Sequence, residues 1–212
     1  MTEECRRAVV VFARAPDLGN VKTRLAAKVG EREALAIYML LAENTVRAVA
    51  SLPECDRVIA YTPSDAGVRT RDWLGAGFSY EAQCDGDLGA RMAHAFDRRF
   101  EENAERVLLV GTDAPEIDGR MLEEGLSALS DHDVVFGPAL DGGYYAIGLR
   151  APQPALFENV SWSQADTLAR SIAAARGAGL SVHLLRRLSD IDTAEDWRNW
   201  LMTRTTPDWL PE

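Results

Sequence analysis

The sequence predicts a single-domain α/β fold built on a mixed, mainly parallel β-sheet with helices on both faces. Three observations support this prediction. Short β-branched runs alternate with longer amphipathic segments, which is typical of successive strand–helix units. The first strand, "AVVVFA" (8–13), is continuously apolar, as expected of a strand buried on both faces. The chain has 212 residues, of which 47% are hydrophobic, and this suffices for one well-packed core.

Each further element is predicted from its local pattern. The helix over 31–52 has apolar residues at helical spacing, namely Leu35, Met39, Ala42, Val46 and Val49. The other strands are predicted at 56–62, 78–83, 106–112, 133–139, 143–149 and 181–187. The other helices are predicted at 65–74, 88–103, 118–130 and 163–179, and a last helix near Thr193.

One connection is too short for a purely parallel sheet. Only "PALDGG" separates "DVVFG" from "YYAIG". A crossover between parallel strands needs about a dozen residues or more. The strand around Tyr144 is therefore expected to run antiparallel to a neighbour.

Composition excludes several functional classes. A formal net charge of -10 argues against a general nucleic-acid or membrane-surface binder, because both need a broad basic face. The three cysteines lack CxxC spacing, which argues against a disulfide framework or a zinc site. The N-terminus lacks a signal-peptide pattern and no apolar stretch is long enough to span a bilayer, so a cytoplasmic location is expected.

The stretch from Arg14 to Lys28 has a charge opposite to that of the chain. It contains four cations and one acid, Asp17. It is not a Walker A loop, because Val21 precedes Lys22 where that pattern needs glycine. Phosphate binding by Lys22 and Arg24 remains one interpretation, with a bend at Pro16 and Gly19. A solvated turn with scattered cations is the other.

Asp113 directly follows the apolar run "RVLLVGT". It should therefore lie at the carboxyl end of a strand, where ligands bind in open parallel sheets. A carboxylate in that position is a good ligand for a hard cation such as Mg²⁺. The alternative is that Asp113 caps a turn.

Further candidate residues follow other predicted strands. Asp87, between Gly86 and Gly89, either approaches a nucleotide or caps the helix at 88–103. Asp190 and Asp192 are candidate metal ligands. The alternative is that Asp192 or Thr193 caps the last helix. Candidates for the acceptor side of a pocket are Asp141, Gly142, Gly143, Tyr144 and Trp162, although a hairpin turn explains "DGG" fully.

Taken in order, these segments resemble a known family. "FARAPDLGNVKTRL", "GDLGARM", "LLVGTDAPEI", "LDGGYYAIGL", "FENVSWS" and "DIDTAEDW" are similar to the bacterial DUF2064 family of glycosyltransferase A-fold proteins. That family is also described as transferases associated with radical-SAM or arsenosugar pathways. The basic loop is also similar to the loop of 2-phospho-lactate guanylyltransferases. The resemblance spans residues 8–200.

The resemblance implies a nucleotide-diphospho-sugar transferase architecture over residues 1–212, with 205–212 as a tail. It places Lys22 and Arg24 at the phosphates and Asp113 at a metal, Mg²⁺ or Mn²⁺, in the position of the fold's D-x-D motif. This chain has one aspartate there, between Thr112 and Ala114. The nucleotide- and phosphate-binding candidates are Ala13, Arg14, Pro16, Gly19, Lys22, Thr23, Arg24, Gln83, Gly86, Asp87 and Gly89.

The expected function is a metal-dependent transferase that acts on a nucleotide-activated donor, with a nucleotide-sugar favoured. Asp113, Lys22 and Asp141 are the catalytic candidates, and the metal candidates are Asp113, Asp190 and Asp192. The expected partners are the nucleotide or nucleotide-sugar and a small-molecule acceptor. One alternative is a nucleotidyltransferase that releases pyrophosphate. Another is a nucleotide-binding regulator without turnover.

Overall fold

The computed structural model describes residues 6–158, 160, 162 and 164–203. The tail at 205–212 lies outside the described residues. The strands are β1 (Arg7–Arg14), β2 (Asp56–Thr62), β3 (Ser79–Ala82), β4 (Arg106–Val110), β5 (Val134–Pro138), β6 (Tyr144–Leu149) and β7 (Val182–Leu184). The helices are α1 (Thr23–Val29), α2 (Glu31–Ala50), α3 (Gly67–Leu74), α4 (Leu88–Glu101), α5 (Gly119–Ala128), α6 (Thr167–Gly177) and α7 (Ala194–Thr203).

The strands form one mixed sheet in the order β3-β2-β1-β4-β6-β5-β7. All neighbouring pairs are parallel except those of β6, which runs antiparallel to both β4 and β5. The prediction made from the short "PALDGG" link is therefore confirmed. So is the prediction of a mixed, mainly parallel α/β fold.

Two apolar cores cover the two faces of the sheet. On one face α2 and α5 pack over the strands, with Val46 and Leu122 fully or almost fully buried. On the other face α4 and α6 do so, with Phe96 and Leu168 in the core. A smaller cluster joins α1, α2 and α7 beside the sheet. The continuously apolar β1 contributes alternate residues to both faces, which explains why it lacks a polar side.

Two details of the helices differ from the prediction. The basic loop contains an additional helix, α1, which Gly30 separates from α2 with a φ of 91°. Leu35 and Met39 are only half-buried, whereas Ile37 and Leu41 are buried. The predicted stripe was shifted because α2 also packs against α1 and α7, so its buried surface exceeds one face. In the described part of the chain, no helix is long and apolar enough to cross a membrane.

Candidate functional site

A cavity of about 490 Å³ opens at the carboxyl edge of the sheet. Residues at or just beyond the ends of β1, β2, β3 and β4 contribute to its wall. The basic loop closes it, together with α2 and the segment after β7. Its lining comprises Phe12, Ala13, Arg14, Asn20, Val21, Lys22, Thr23, Arg24, Tyr38, Thr62, Gln83, Arg91, Thr112, Asp113 and Asp192. We call it the donor cavity.

Tyr38 on α2 fixes the end of β1 at this cavity. Its hydroxyl donates to the carbonyl oxygen of Arg14 at 2.7 Å and accepts from the Arg14 amide at 2.8 Å. Burial raises the pKa of Tyr38 to about 12, so the phenol stays protonated and keeps both bonds. The guanidinium of Arg14 donates to the carbonyl of Asn20 at 3.1 Å, which ties the basic loop to the same strand end.

Lys22 occupies the centre of the site. Its backbone has φ 47° and ψ 47°, a left-handed conformation that is unfavourable for a residue with a side chain. The ammonium lies 2.7 Å from Oδ1 of Asp113 and 2.8 Å from Oδ1 of Asp192. The Lys22 side chain is only 5% exposed, whereas both carboxylates remain about half-exposed. The pKa of Lys22 is lowered by burial, but the two carboxylates outweigh this effect and raise it above its ordinary value.

The backbone joins the two carboxylate-bearing segments directly. The amide of Ile191 donates to the carbonyl oxygen of Asp113 at 2.9 Å, so the segment after β7 is held against the end of β4. On the other side of Asp113, Asn44 of α2 donates to the carbonyls of Pro115 and Ile117, both at 3.1 Å. These bonds fix Asp113 from both sides and set its distance from Asp192.

Asp190 adds a further acid beside this pair. Its Oδ1 is shielded from solvent and accepts no hydrogen bond from the described residues. Burial, together with the carboxylates of Asp113 and Asp141, raises the pKa of Asp190 to about 7, although the ammonium of Lys22 acts in the opposite direction. The site therefore holds more negative charge than Lys22 alone compensates.

A second cavity of about 500 Å³ adjoins the first and shares Arg24 and Asp192 with it. Its lining comprises Arg24, Glu116, Leu140, Asp141, Ser189, Asp190, Asp192, Thr193, Asp196, Asn199 and Trp200. We call it the acceptor-side cavity. The guanidinium of Arg24 forms no hydrogen bond or ion pair with any residue that the structure describes, so it is available to a ligand in either cavity.

The structure brings many of the predicted site residues together. Eight of them line the donor cavity, namely Ala13, Arg14, Lys22, Thr23, Arg24, Gln83, Asp113 and Asp192. Asp141 and Asp190 line the acceptor-side cavity. Gln83 donates its amide to the carbonyl of Ala60 at 2.8 Å, and its Oε1 lies 3.4 Å from Nη1 of Arg91, so its side chain is held in place at the wall.

Other predicted residues line neither cavity. In the basic loop, Pro16 and Gly19 form the bend, and Gly19 has a φ of 79°. Gly86 also stands outside both walls. Asp87 caps α4, because its Oδ1 accepts from the amide of Ala90 at 2.8 Å. A Cβ on Gly89 would lie 2.6 Å from the carbonyl oxygen of Phe157, so this glycine permits close packing of α4.

Most of the acceptor-side candidates around β6 pack in the core or form the turn, and they line neither cavity. Tyr144 packs against Phe136 in the core on the α4–α6 face, and Trp162 packs at the edge of the same core. Gly142 has a φ of 91°, and a Cβ there would lie 1.8 Å from the carbonyl oxygen of Ala165. Gly143 donates its amide to Oδ1 of Asp141 at 2.8 Å, which orients that carboxylate at the acceptor-side cavity.

The acids near the start of α7 have different roles: Asp196 caps the helix, whereas Asp192 faces the site. Oδ2 of Asp196 accepts from the amide of Thr193 at 2.8 Å, and Oγ1 of Thr193 accepts from the amide of Asp196 at 3.2 Å. This reciprocal pair is a capping box. Thr193 and Asp196 therefore cap the helix, which leaves the carboxylate of Asp192 to Lys22.

Some residues of the site carried no signal in the sequence. Tyr38 lies on α2, Arg91 on α4 and Asn199 on α7. Each lines a cavity only because its helix packs beside the sheet. Tyr38 could have been noticed only as an aromatic residue among the apolar residues of α2. Among the described residues, no group of three or more histidine, cysteine or acidic side chains is arranged so that it could hold a metal ion by itself.

The chain is similar to one protein family and to several proteins of known structure. Residues 45–164 match the model of a family described as uncharacterized proteins conserved in bacteria, DUF2064. A candidate nucleotide-diphospho-sugar transferase from Desulfovibrio desulfuricans G20 is 32% identical, with a TM-score of 0.90. The similarity covers 96% of this chain and 90% of that one. Among curated proteins, none matches the sequence.

More distant structures share the fold. The inositol-1-phosphate CTP transferase of T. maritima has a TM-score of 0.55 at 14% identity, covering 94% of this chain and 96% of that one. A CMP:2-keto-3-deoxy-manno-octonic acid synthetase in complex with CTP has a TM-score of 0.59 at 11% identity, with 93% and 98% covered. Together with the sheet order, these similarities identify the fold as that of nucleotide-diphospho-sugar transferases and cytidylyltransferases.

The position of Gly142 leads to a first prediction. Gly142→Ala should reduce the free energy of unfolding by about 1–3 kcal/mol, because the new Cβ would overlap the backbone at Ala165. Urea denaturation measures this change. Gly177→Ala is the matched control, since nothing lies within 4 Å of a Cβ there, and it should be neutral or slightly stabilising. Equal stability of both variants would show that the turn is not fixed against the backbone at Ala165.

Proposed function

This chain belongs to the DUF2064 family, and on that premise we propose that it is a metal-dependent transferase that uses a nucleotide-activated donor, with a nucleotide-sugar favoured. One observation carries the proposal. A cavity at the carboxyl edge of the sheet holds a buried ammonium between two carboxylates, beside the guanidinium of Arg24, which forms no ion pair with any described residue. That combination offers positive charge to phosphates and oxygen ligands to a cation.

The fold supports a nucleotide donor. In open α/β sheets, ligands bind outside the carboxyl ends of the strands, and the donor cavity lies there. Its volume of about 490 Å³ falls in the range of small-molecule sites. The relative that is 32% identical is described as a candidate nucleotide-diphospho-sugar transferase, which agrees with this class of donor.

The carboxylates suit a divalent cation such as Mg²⁺ or Mn²⁺. Oxygens of Asp113 and Asp192 already converge on one positive charge, the ammonium of Lys22. Mg²⁺ is commonly held by one or two carboxylates together with substrate phosphates, so a larger protein cage is not needed. We propose Asp113 and Asp192 as ligands, with Asp190 as the third candidate. When bound, such a cation stabilises the charge of the leaving diphosphate.

The chain's own residues have distinct roles in this proposal. Arg24 lies between the two cavities and contacts the donor phosphates with its free guanidinium. Lys22 adds a second positive charge at the same place. Asp141 lies at the acceptor-side cavity with one oxygen held by the Gly143 amide, so the other can orient or accept a proton from an acceptor hydroxyl.

Nucleotidyl transfer is the second candidate function. The fold is shared with cytidylyltransferases, including one whose structure was determined with CTP. The two reactions release different products, since a glycosyltransferase yields a nucleoside diphosphate and a nucleotidyltransferase yields pyrophosphate. Incubation with nucleoside triphosphates and with nucleotide-sugars, followed by measurement of both products, distinguishes them. Nucleotide binding with neither product and no dependence on metal would favour a regulator instead.

Removal of the charge at Asp113 should abolish metal-dependent nucleotide binding. In isothermal titration with Mg²⁺ and a nucleoside diphosphate, Asp113→Asn should lose the increase in affinity that Mg²⁺ gives the unmodified protein. The amide keeps the shape of the side chain but lacks the negative charge, so it binds Mg²⁺ more weakly than the carboxylate does. Asp97→Asn, an exposed change on α4 that lines neither cavity, is the control. The assignment fails if Asp113→Asn retains the Mg²⁺ effect.

The proposed role of Arg24 leads to a prediction about phosphate recognition. Arg24→Ala should weaken nucleoside diphosphate binding by roughly tenfold to a hundredfold, because a charge-assisted hydrogen bond contributes about 1.5–3 kcal/mol. Binding of the bare nucleoside should hardly change. Lys28→Ala on the same helix is the control, since Lys28 is exposed and lines neither cavity.

Equal losses for nucleoside and diphosphate would show that Arg24 shapes the cavity rather than binding phosphate. Lys22→Ala is expected to weaken diphosphate binding as well. It is a less specific test, because it also removes the cation that separates Asp113 from Asp192.

A further inference from the structure

The acceptor-side cavity differs chemically from the donor cavity beside it. Five carboxylates line it, those of Glu116, Asp141, Asp190, Asp192 and Asp196, and the described lining contains one cation, Arg24. Its volume of about 500 Å³ equals that of the donor cavity within a few per cent, so it can hold a ligand of similar size. Because the two cavities meet at Arg24 and Asp192, a ligand here would lie next to the transferred group.

Neighbouring cations reduce the negative charge of these carboxylates but do not outnumber them. Asp192 is paired with Lys22, and Glu116 lies 3.2 Å from the guanidinium of Arg186. Among the described residues, these two cations and Arg24 face the five acids, and Lys22 is shared with a further carboxylate, that of Asp113. A divalent cation would add two positive charges, but the donor's diphosphate would bring at least two negative ones. The loaded site consequently keeps an excess of acid, which repels a phosphate.

The hydrogen-bonding groups of the acceptor-side cavity also favour a ligand without phosphate. Asp141 uses one oxygen for the Gly143 amide and leaves the other to the cavity. Oδ1 of Asp190 accepts no hydrogen bond from the described residues although it is shielded from solvent. Carboxylate acceptors outnumber the donors on this wall, although Arg24, Ser189 and Asn199 can donate, so a complementary ligand supplies mainly N–H or O–H groups. Leu140 and Trp200 add an apolar part to the wall.

We propose that the acceptor-side cavity binds an acceptor that carries hydroxyl or ammonium groups and no phosphate or carboxylate. The ligand is an acceptor only if the proposed function holds. The preference of the cavity for uncharged or cationic ligands over phosphates can be measured without any nucleotide. It also favours glycosyl transfer to a hydroxyl or amine over nucleotidyl transfer to a phosphorylated sugar.

Three probes of similar size test the inference, namely glucosamine, glucose and glucose 6-phosphate. Leu140 is 63% exposed at the rim of the cavity, so its methyl resonances in ¹³C-labelled protein report on occupancy. Leu140→Gln assigns those resonances by their loss. Titrations are run with the free protein and with protein saturated with Mg²⁺ and a nucleoside diphosphate, which prevents a phosphate from entering the donor cavity.

The expected order of affinity is glucosamine, then glucose, then glucose 6-phosphate, with at least about a tenfold difference between the first and the last at low salt. Asn199→Lys places a cation on the wall at an exposed helical position, so it should strengthen glucose 6-phosphate binding and weaken that of glucosamine. Asn199→Gln, the matched control, should change neither.

Three results would overturn the inference: tighter binding of glucose 6-phosphate than of glucose, no response of Leu140 to any probe, or no effect of Asn199→Lys on the order. Failure of the proposed function looks different. In that case no nucleotide binds the donor cavity, while the order of glucosamine and glucose at Leu140 in the free protein, and the effect of Asn199→Lys on it, still decide the inference.

Discussion

The ammonium of Lys22 between Asp113 and Asp192 is the interaction on which the site depends. It joins three segments that are far apart in sequence: the loop after β1, the end of β4 and the segment after β7. The left-handed backbone of Lys22 has an energetic cost of about 1–2 kcal/mol, and in this conformation the side chain reaches both carboxylates. Without this cation, neighbouring carboxylates would face one another across a partly buried cavity, where burial and the carboxylates of Asp113 and Asp141 already raise the pKa of Asp190.

The sheet order explains why these segments meet. Strand β6 runs antiparallel between β4 and β5, so the turn that precedes it lies at the same edge as the end of β4. That turn brings Asp141 to the acceptor-side cavity, while the bond from Ile191 to Asp113 holds the segment after β7 in place. A fully parallel sheet would need a helix in place of "PALDGG" and would separate these carboxylates. The antiparallel β6 therefore brings Asp141 into the acceptor-side cavity, which adjoins the donor cavity at the ends of β1 to β4.

Local patterns in the sequence predicted the strands, the antiparallel β6 and the position of Asp113 at the end of a strand, because apolar runs and strand ends depend on neighbouring residues. Contacts between distant segments could not be predicted in this way. The charge of Lys22 suggested a phosphate ligand, but nothing in the sequence indicated that carboxylates from two distant segments also pair with it. Likewise Tyr144 belongs to a "DGGYY" turn that suggested a pocket, but alternation along β6 directs its ring into the core.

A crystal structure with Mn²⁺ and a nucleoside diphosphate tests the central claim most directly, because anomalous scattering locates the metal. The account predicts Mn²⁺ bound by the carboxylates of Asp113 and Asp192, with the diphosphate in contact with Lys22 and Arg24. It would be contradicted by a nucleotide bound in the donor cavity without metal, while Lys22 still bridges both carboxylates.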